Sequence, residues 1–311
     1  MTKAGIERIG LVCVFLAIGA IPGSAIGKVS VFVSIVPQKY FVQQIGKDLV
    51  DVQVMVQPGA DPHTYEPKPK QMVALAKAQL YFAIGIEFEK ARLKKISATN
   101  PQMKVIFTDQ DIPKIPMTAP HLHDEEKNAE KDNRAKEPAN ASGDEQHAHD
   151  GLDPHIWLSP PLVLKQAQTI LAALQEVDPA HRSIYQANFA AFSSQVAELD
   201  AALRKTFAGK QGLRFIVLHP SWGYFAHTYG LEQIPVEIEG KNPKPARLGR
   251  LIEFAREKDI KVIFVQPQFS AKSAELLAGE IGGRVVAADP LAEDWADNLR
   301  AVAGEFKAAL R

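Results

Sequence analysis

Apolar and polar residues alternate in short blocks along most of the chain, and the blocks read as strands and helices by turns. Residues 29–36 form a β-rich apolar run, and 38–46 follow with helical spacing. Residues 52–56 read as a second strand, ended by Gln57-Pro58-Gly59. Pro69 opens a helix over 69–79 with Met72, Leu75 and Ala76 on one face, and 80–84 and 105–108 read as strands. Ser159-Pro160-Pro161 predicts a capped helix start, with the helix running to about residue 176. A longer helix over 182–207 carries Tyr185, Phe189, Phe192, Val196, Leu199 and Leu203 at three- and four-residue spacing. Beyond it, 215–218, 262–265 and 285–288 read as strands, and 221–229, 246–258, 271–281 and 295–310 as helices. Gly230 and Gly282 are placed to end two of these helices. Strand–helix alternation predicts α/β units with largely parallel sheets covered by helices on both faces. The long helix, spanning about 181–208, divides an N-terminal half (28–180) from a C-terminal half (209–311) and is the natural connector.

Two stretches break this pattern. Residues 121–150 hold nine acids, four Lys/Arg and four His, with Leu122 the sole large apolar residue. Such a segment buries too little apolar surface to offset its ordering entropy, so a disordered loop is expected. At the N-terminus, Lys3 and Arg8 precede an apolar run over 9–21, followed by Pro22, Gly23, Ser24 and Ala25. That is the form of a cleaved secretory signal peptide over residues 1–27; a membrane span would need about 20 apolar residues.

The bulk charge says little beyond exclusion. Lys+Arg and Asp+Glu both number 36, so no net basic field points to nucleic acid. The one cysteine, Cys13, lies inside the apolar run behind Val12, a poor setting for lipid attachment. Removal of the signal would leave no thiol, hence no disulfide and no thiolate ligand. Any metal site must then use nitrogen and oxygen.

In open α/β sheets, ligands bind beyond the carboxyl ends of strands. Beyond 52–56 comes Asp61-Pro62-His63, directly after 215–218 comes His219, and after 285–288 comes Asp289. His155, in Asp153-Pro154-His155-Ile156-Trp157, stands just before a helix start. Three imidazoles and a carboxylate could close a four-coordinate Zn²⁺ site, although their spacing fits no short metal motif.

His63-Thr64-Tyr65-Glu66-Pro67 after Pro58-Gly59, Asp153-Pro154-His155-Ile156-Trp157-Leu158-Ser159-Pro160, His219-Pro220-Ser221-Trp222-Gly223-Tyr224-Phe225 and Glu239-Gly240-Lys241 occur in this order. With the His- and acid-rich loop between the first two, they resemble the zinc-type, metal-specific solute-binding proteins of ABC transporters over nearly all the chain after its signal. The resemblance implies two α/β lobes joined by a rigid linking helix, with a metal held in the cleft between them. It implies His63, His155 and His219 as ligands, with Asp289, another acid or a water in fourth place. It also implies high-affinity Zn²⁺ capture and delivery to an ABC-transporter permease. The signal without a lipid-attached cysteine points to a free protein in a periplasm, and a monomer without enzymatic activity is expected. Val265-Gln266-Pro267-Gln268 departs from the acid-Pro-Gln often found there in the family, which leaves position 266 without an assigned role.

Manganese-type relatives usually carry an acid where His219 stands, and a third imidazole suits Zn²⁺ better than Mn²⁺. Copper, nickel and cobalt would also bind. A secreted zinc hydrolase is the rival from another class, but no His-Glu-x-x-His stretch and no Gly-x-Ser-x-Gly elbow occurs. Glu66 could hydrogen-bond a ligand imidazole, and Tyr65 and Trp157 could wall the cleft. His181 and His227 read as a helix-start residue and a supporting or surface residue. His121, His123, His147 and His149 are candidates for weak auxiliary metal binding in the loop.

Overall fold

The computed structural model describes residues 27–62, 64–117, 151–237 and 243–310. Two four-stranded sheets, parallel throughout, make the framework. The first has strand order β2-β1-β3-β4, with β1 at Val29–Val33, β2 at Val50–Val54, β3 at Leu80–Ala83 and β4 at Lys104–Phe107. The second repeats that order as β6-β5-β7-β8, with β5 at Arg214–Val217, β6 at Glu232–Pro235, β7 at Val262–Val265 and β8 at Arg284–Ala287. The central strands are buried on both faces, which is why β3 and β7 read as unbroken apolar runs rather than alternating ones.

Helices α1 (Val36–Gly46), α2 (Pro69–Leu75), α3 (Glu87–Thr99) and α4 (Pro160–Val177) belong with the first sheet. Helices α6 (Gly223–Tyr229), α7 (Pro245–Glu257), α8 (Lys272–Glu280) and α9 (Trp295–Ala309) belong with the second. Between them runs α5, Arg182–Thr206, of 25 residues, about 38 Å at 1.5 Å per residue. It buries Tyr185, Phe192, Val196, Leu199 and Leu203 against α1, α4 and α9, so it packs on elements of both lobes. The expected two-lobed α/β architecture with a long joining helix is therefore present.

Several local expectations need correction. The first strand stops at Val33, and α1 begins at Val36, because Gln38 reaches back to accept the N–H groups of Ser34 (3.0 Å) and Ile35 (3.3 Å). Helix α2 ends at Leu75 rather than 79, since Gln79 turns to donate to Ser30 in the sheet (2.9 Å). Ser159 precedes α4 but makes no capping bond; its hydroxyl is engaged with Thr228 at 2.9 Å. Gly230 and Gly282 do end their helices in the left-handed region, at φ 71° and 61°.

One apolar cluster runs through both lobes, from Val31, Phe41 and Phe82 to Phe215, Trp295 and Phe306. A smaller one lies among α7, α8 and the second sheet. Polar pins cross the same junction. Trp157 Nε1 donates to the Pro290 carbonyl (2.7 Å), and Trp295 Nε1 donates to the Trp157 carbonyl (2.7 Å). Tyr224 accepts from the Ile115 N–H (3.1 Å) and donates to the Asp153 carbonyl (3.0 Å). The rim of the cleft between the lobes is fixed by these bonds.

Candidate metal centre

His219 stands two residues past the end of β5. The ladder is carried beyond the strand by Leu218 N–H donating to the Phe264 carbonyl (2.8 Å). A side chain then continues it: Gln266 accepts the His219 N–H (3.2 Å) and donates to the His219 carbonyl (2.7 Å) and the Ser221 hydroxyl (3.3 Å). Gln266 is 1% exposed, so this amide replaces a neighbouring strand for His219 at the point where β7 has ended. Position 266 thus has a role that the sequence alone left open. Its neighbour Gln268 donates to Asp289 Oδ1 (2.8 Å), which also accepts the Leu291 N–H (2.9 Å). One short segment after β7 therefore orients both candidate ligands of the C-terminal lobe.

His155 enters from the other lobe, just before a 3-10 turn at Ile156–Leu158. Asp153 fixes it twice, accepting from its backbone N–H (2.8 Å) and lying 2.7 Å from its Nδ1. Trp157 packs against the imidazole at 5.0 Å between ring centres. The His155 and His219 rings lie 5.6 Å apart, and His219 stacks on Phe269 at 4.8 Å. Pro62, Pro154, Gln268, Phe269, Pro290 and Leu291 share the cleft with both histidines.

Burial holds the His219 imidazole below the ordinary histidine pKa, against the upward pull of Glu237, and nearby His155 pushes it down further. A neutral imidazole is the form that ligates a metal. The Glu237 carboxylate lies 3.7 Å from His219 Nδ1 and is itself buried. It comes from the end of β6, a strand the sequence pattern did not reveal.

The structure brings His155 and His219 together, with Asp289 in the chain segment that leads into the cleft wall at Pro290 and Leu291. His63 lies outside the described residues, as do His121, His123, His147 and His149. Among the described residues no three His, Cys, Asp or Glu side chains are gathered closely enough to hold an ion. Tyr65 donates to Gln71 (2.7 Å) and packs edge-on against Phe88. Glu66 is exposed and paired with Arg92. His181 is bound to Asp178 at 2.7 Å, and His227 is exposed.

Residues 31–309 match the profile of the family described as zinc-uptake complex component A, periplasmic (ZnuA). The chain belongs to this family. That makes it a zinc-type solute-binding protein of an ABC uptake system. A solved structure of ZnuA is 42% identical, with TM-score 0.79, covering 91% of this chain and 100% of that one. A zinc-bound deletion mutant of ZnuA is also 42% identical, with TM-score 0.78, covering 91% and 98%. The high-affinity zinc uptake system protein ZnuA of Bacillus subtilis is 29% identical over 259 residues, 83% of this chain and 76% of that protein. The zinc-binding lipoprotein AdcA of Streptococcus pneumoniae is 25% identical over 294 residues, 94% of this chain but only 56% of its own length.

Proposed function

We propose that the chain captures one Zn²⁺ in the interlobe cleft through His63, His155 and His219, with Asp289 in fourth place, and hands it to a membrane permease. The observation that carries this reading is the approach of His155 and His219 to 5.6 Å across a cleft lined by both lobes. Two imidazoles from different lobes, each with Nδ1 near a carboxylate, keep Nε2 as the nitrogen for a metal. A third imidazole and one oxygen would complete the four-coordinate shell that Zn²⁺ favours. The protein works as a monomer, without catalysis, free in the periplasm after loss of residues 1–27. Among the described residues no helix is long and apolar enough to cross a membrane. His121, His123, His147 and His149 collect additional zinc more weakly than the cleft, as the His- and acid-rich composition around them suggests.

Zinc competition against a chromophoric chelator tests the site on metal-stripped protein. His63→Ala, His155→Ala and His219→Ala should each weaken binding at least tenfold, about 1.4 kcal/mol. Asp289→Ala should cost less, since water can replace an oxygen ligand. Unchanged zinc affinity in His219→Ala would overturn the assignment. Excising 121–150 should remove only the weaker zinc equivalents in a calorimetric titration; loss of the tight site would mean that the loop supplies one of its ligands.

A further inference from the structure

Glu237 stands at the same level as His219 on the neighbouring strand. Val236 N–H donates to the Val217 carbonyl (2.8 Å) and Glu237 N–H to the Leu218 carbonyl (2.9 Å), so the β5–β6 register runs on past both strand ends. It delivers the carboxylate to the Nδ1 side of the imidazole, at 3.7 Å. Glu237 is only 7% exposed and His219 only 3%. Among the described residues no lysine or arginine pairs with this carboxylate. Burying an acid without a compensating cation is costly, and such a group persists where it serves a purpose.

The N-terminal lobe offers the comparison. There Asp153 lies 2.7 Å from His155 Nδ1, a closed hydrogen bond that engages this ring nitrogen and leaves Nε2 as the other. The separation at Glu237 is an ion-pair distance, about half an ångström beyond a hydrogen bond. Carboxylates behind metal-bound imidazoles fix the tautomer with hydrogen on Nδ1 and make the other nitrogen a stronger donor to the metal.

We propose that Glu237 is a positioning residue for the metal centre: its buried carboxylate holds the N–H form of His219 Nδ1 and so presents Nε2 to zinc. The inference rests on His219 being a zinc ligand. A cation at Nε2 polarises the ring, strengthens the Nδ1–H donor and brings a positive charge toward the buried carboxylate. Glu237 therefore costs stability in the empty protein and returns it when zinc is bound, whereas a merely structural residue would support both states alike.

The test uses the full chain with Glu237→Gln, Glu237→Asp, His219→Ala and the Glu237→Gln/His219→Ala pair. Zinc affinity is read by chelator competition, and the thermal midpoint of the metal-free protein by circular dichroism. Glu237→Gln should weaken zinc binding 10- to 100-fold, the range for such supporting groups, while the metal-free midpoint stays level or rises. Glu237→Asp, which keeps the charge, should recover part of the affinity. In the His219→Ala background Glu237→Gln should cost nothing more, because the carboxylate acts through that ring. Three results would overturn the inference: an affinity within threefold of the parent, affinity and metal-free midpoint falling together, or an undiminished effect without His219. Parent-like binding by His219→Ala would remove the ligand assignment and this inference with it. Loss in His219→Ala with Glu237→Gln unaffected removes the inference alone.

Discussion

Replacing Gln266 by methionine isolates the amide that holds His219, because methionine keeps the length and unbranched shape but neither donates nor accepts. Three hydrogen bonds go, to His219 N–H, His219 C=O and Ser221 Oγ. They do not cost alike. The His219 carbonyl keeps the Ser221 N–H at 2.8 Å, so losing the amide donor forfeits only a net bond, about 1 kcal/mol. The His219 N–H loses its acceptor in a fully buried setting, about 1–3 kcal/mol. Methionine returns a little through apolar burial, leaving a destabilisation of about 2–3 kcal/mol. For a chain of this size that is a fall in Tm of about 4–10 °C. Function should suffer as well, since the imidazole is aimed by its backbone; a loss of about tenfold in zinc affinity matches groups that orient ligands. Differential scanning calorimetry of metal-free protein and chelator competition measure the two effects. A Tm within about 1 °C of the parent, with affinity within twofold, would show that the amide does not hold His219 and would refute the reasoning.

Trp295→Phe removes the donor to the Trp157 carbonyl and part of a buried ring, so stability should fall by about 2–4 kcal/mol, read by chemical denaturation. Zinc affinity should be highest near neutral pH and fall on acidification, because protons compete with the metal for imidazole. The depressed pKa of His219 carries its own contribution to lower pH than an ordinary histidine would, and an affinity flat from pH 7.5 to 5 would argue for an oxygen-dominated site. Burial pushes the Asp178 pKa up, but bonds from Tyr185 and His181 outweigh it and hold the carboxyl below its ordinary value. A carboxyl depressed on folding stabilises the protein above its unfolded pKa of about 3.9 and ceases to as pH falls through the folded value. The stability gap between parent and Asp178→Asn should therefore be constant near neutrality and close in acid, as urea titrations across that range would record.

The sequence made the fold legible wherever burial alone decided the pattern. Strands β1, β3 and β7 announced themselves as apolar runs, and α5 by its packed face. Helix α3 was hidden because only Phe88, Glu89 and Ile96 of its 13 residues are buried, which leaves little periodicity to read. Strand β6 was hidden because it is four residues long, begins with two polar residues and ends on Pro235. That second omission mattered for the site, since β6 is what carries Glu237 to His219. Metal-ligating residue types flag themselves in a sequence; the amides and acids that aim them do not. Gln266, Gln268 and Glu237 become visible only when strand ends are placed side by side. Ser159 shows the converse, an N-cap residue type whose hydroxyl was taken by a tertiary partner, Thr228.

The same placement explains how two lobes can share one ion. A site whose ligands come from separate lobes is only as well organised as the junction between them. Here the junction is the apolar cluster through α1, α5 and α9, pinned at the cleft by Trp157 bonded to both Pro290 and Trp295. Trp157 lies two residues from His155, and Pro290 directly follows Asp289, so the pins act within two residues of a candidate ligand on each side. Moving the lobes apart would expose part of that cluster and break both indole bonds in a setting where water cannot replace them cheaply. Capture should therefore proceed through local movement of side chains at the cleft, with little change in lobe separation. Small-angle scattering of metal-free and zinc-loaded protein can decide this. A change in radius of gyration below about 1 Å agrees with a pinned junction, whereas a larger contraction on zinc binding would mean that the indole bonds open in the empty protein.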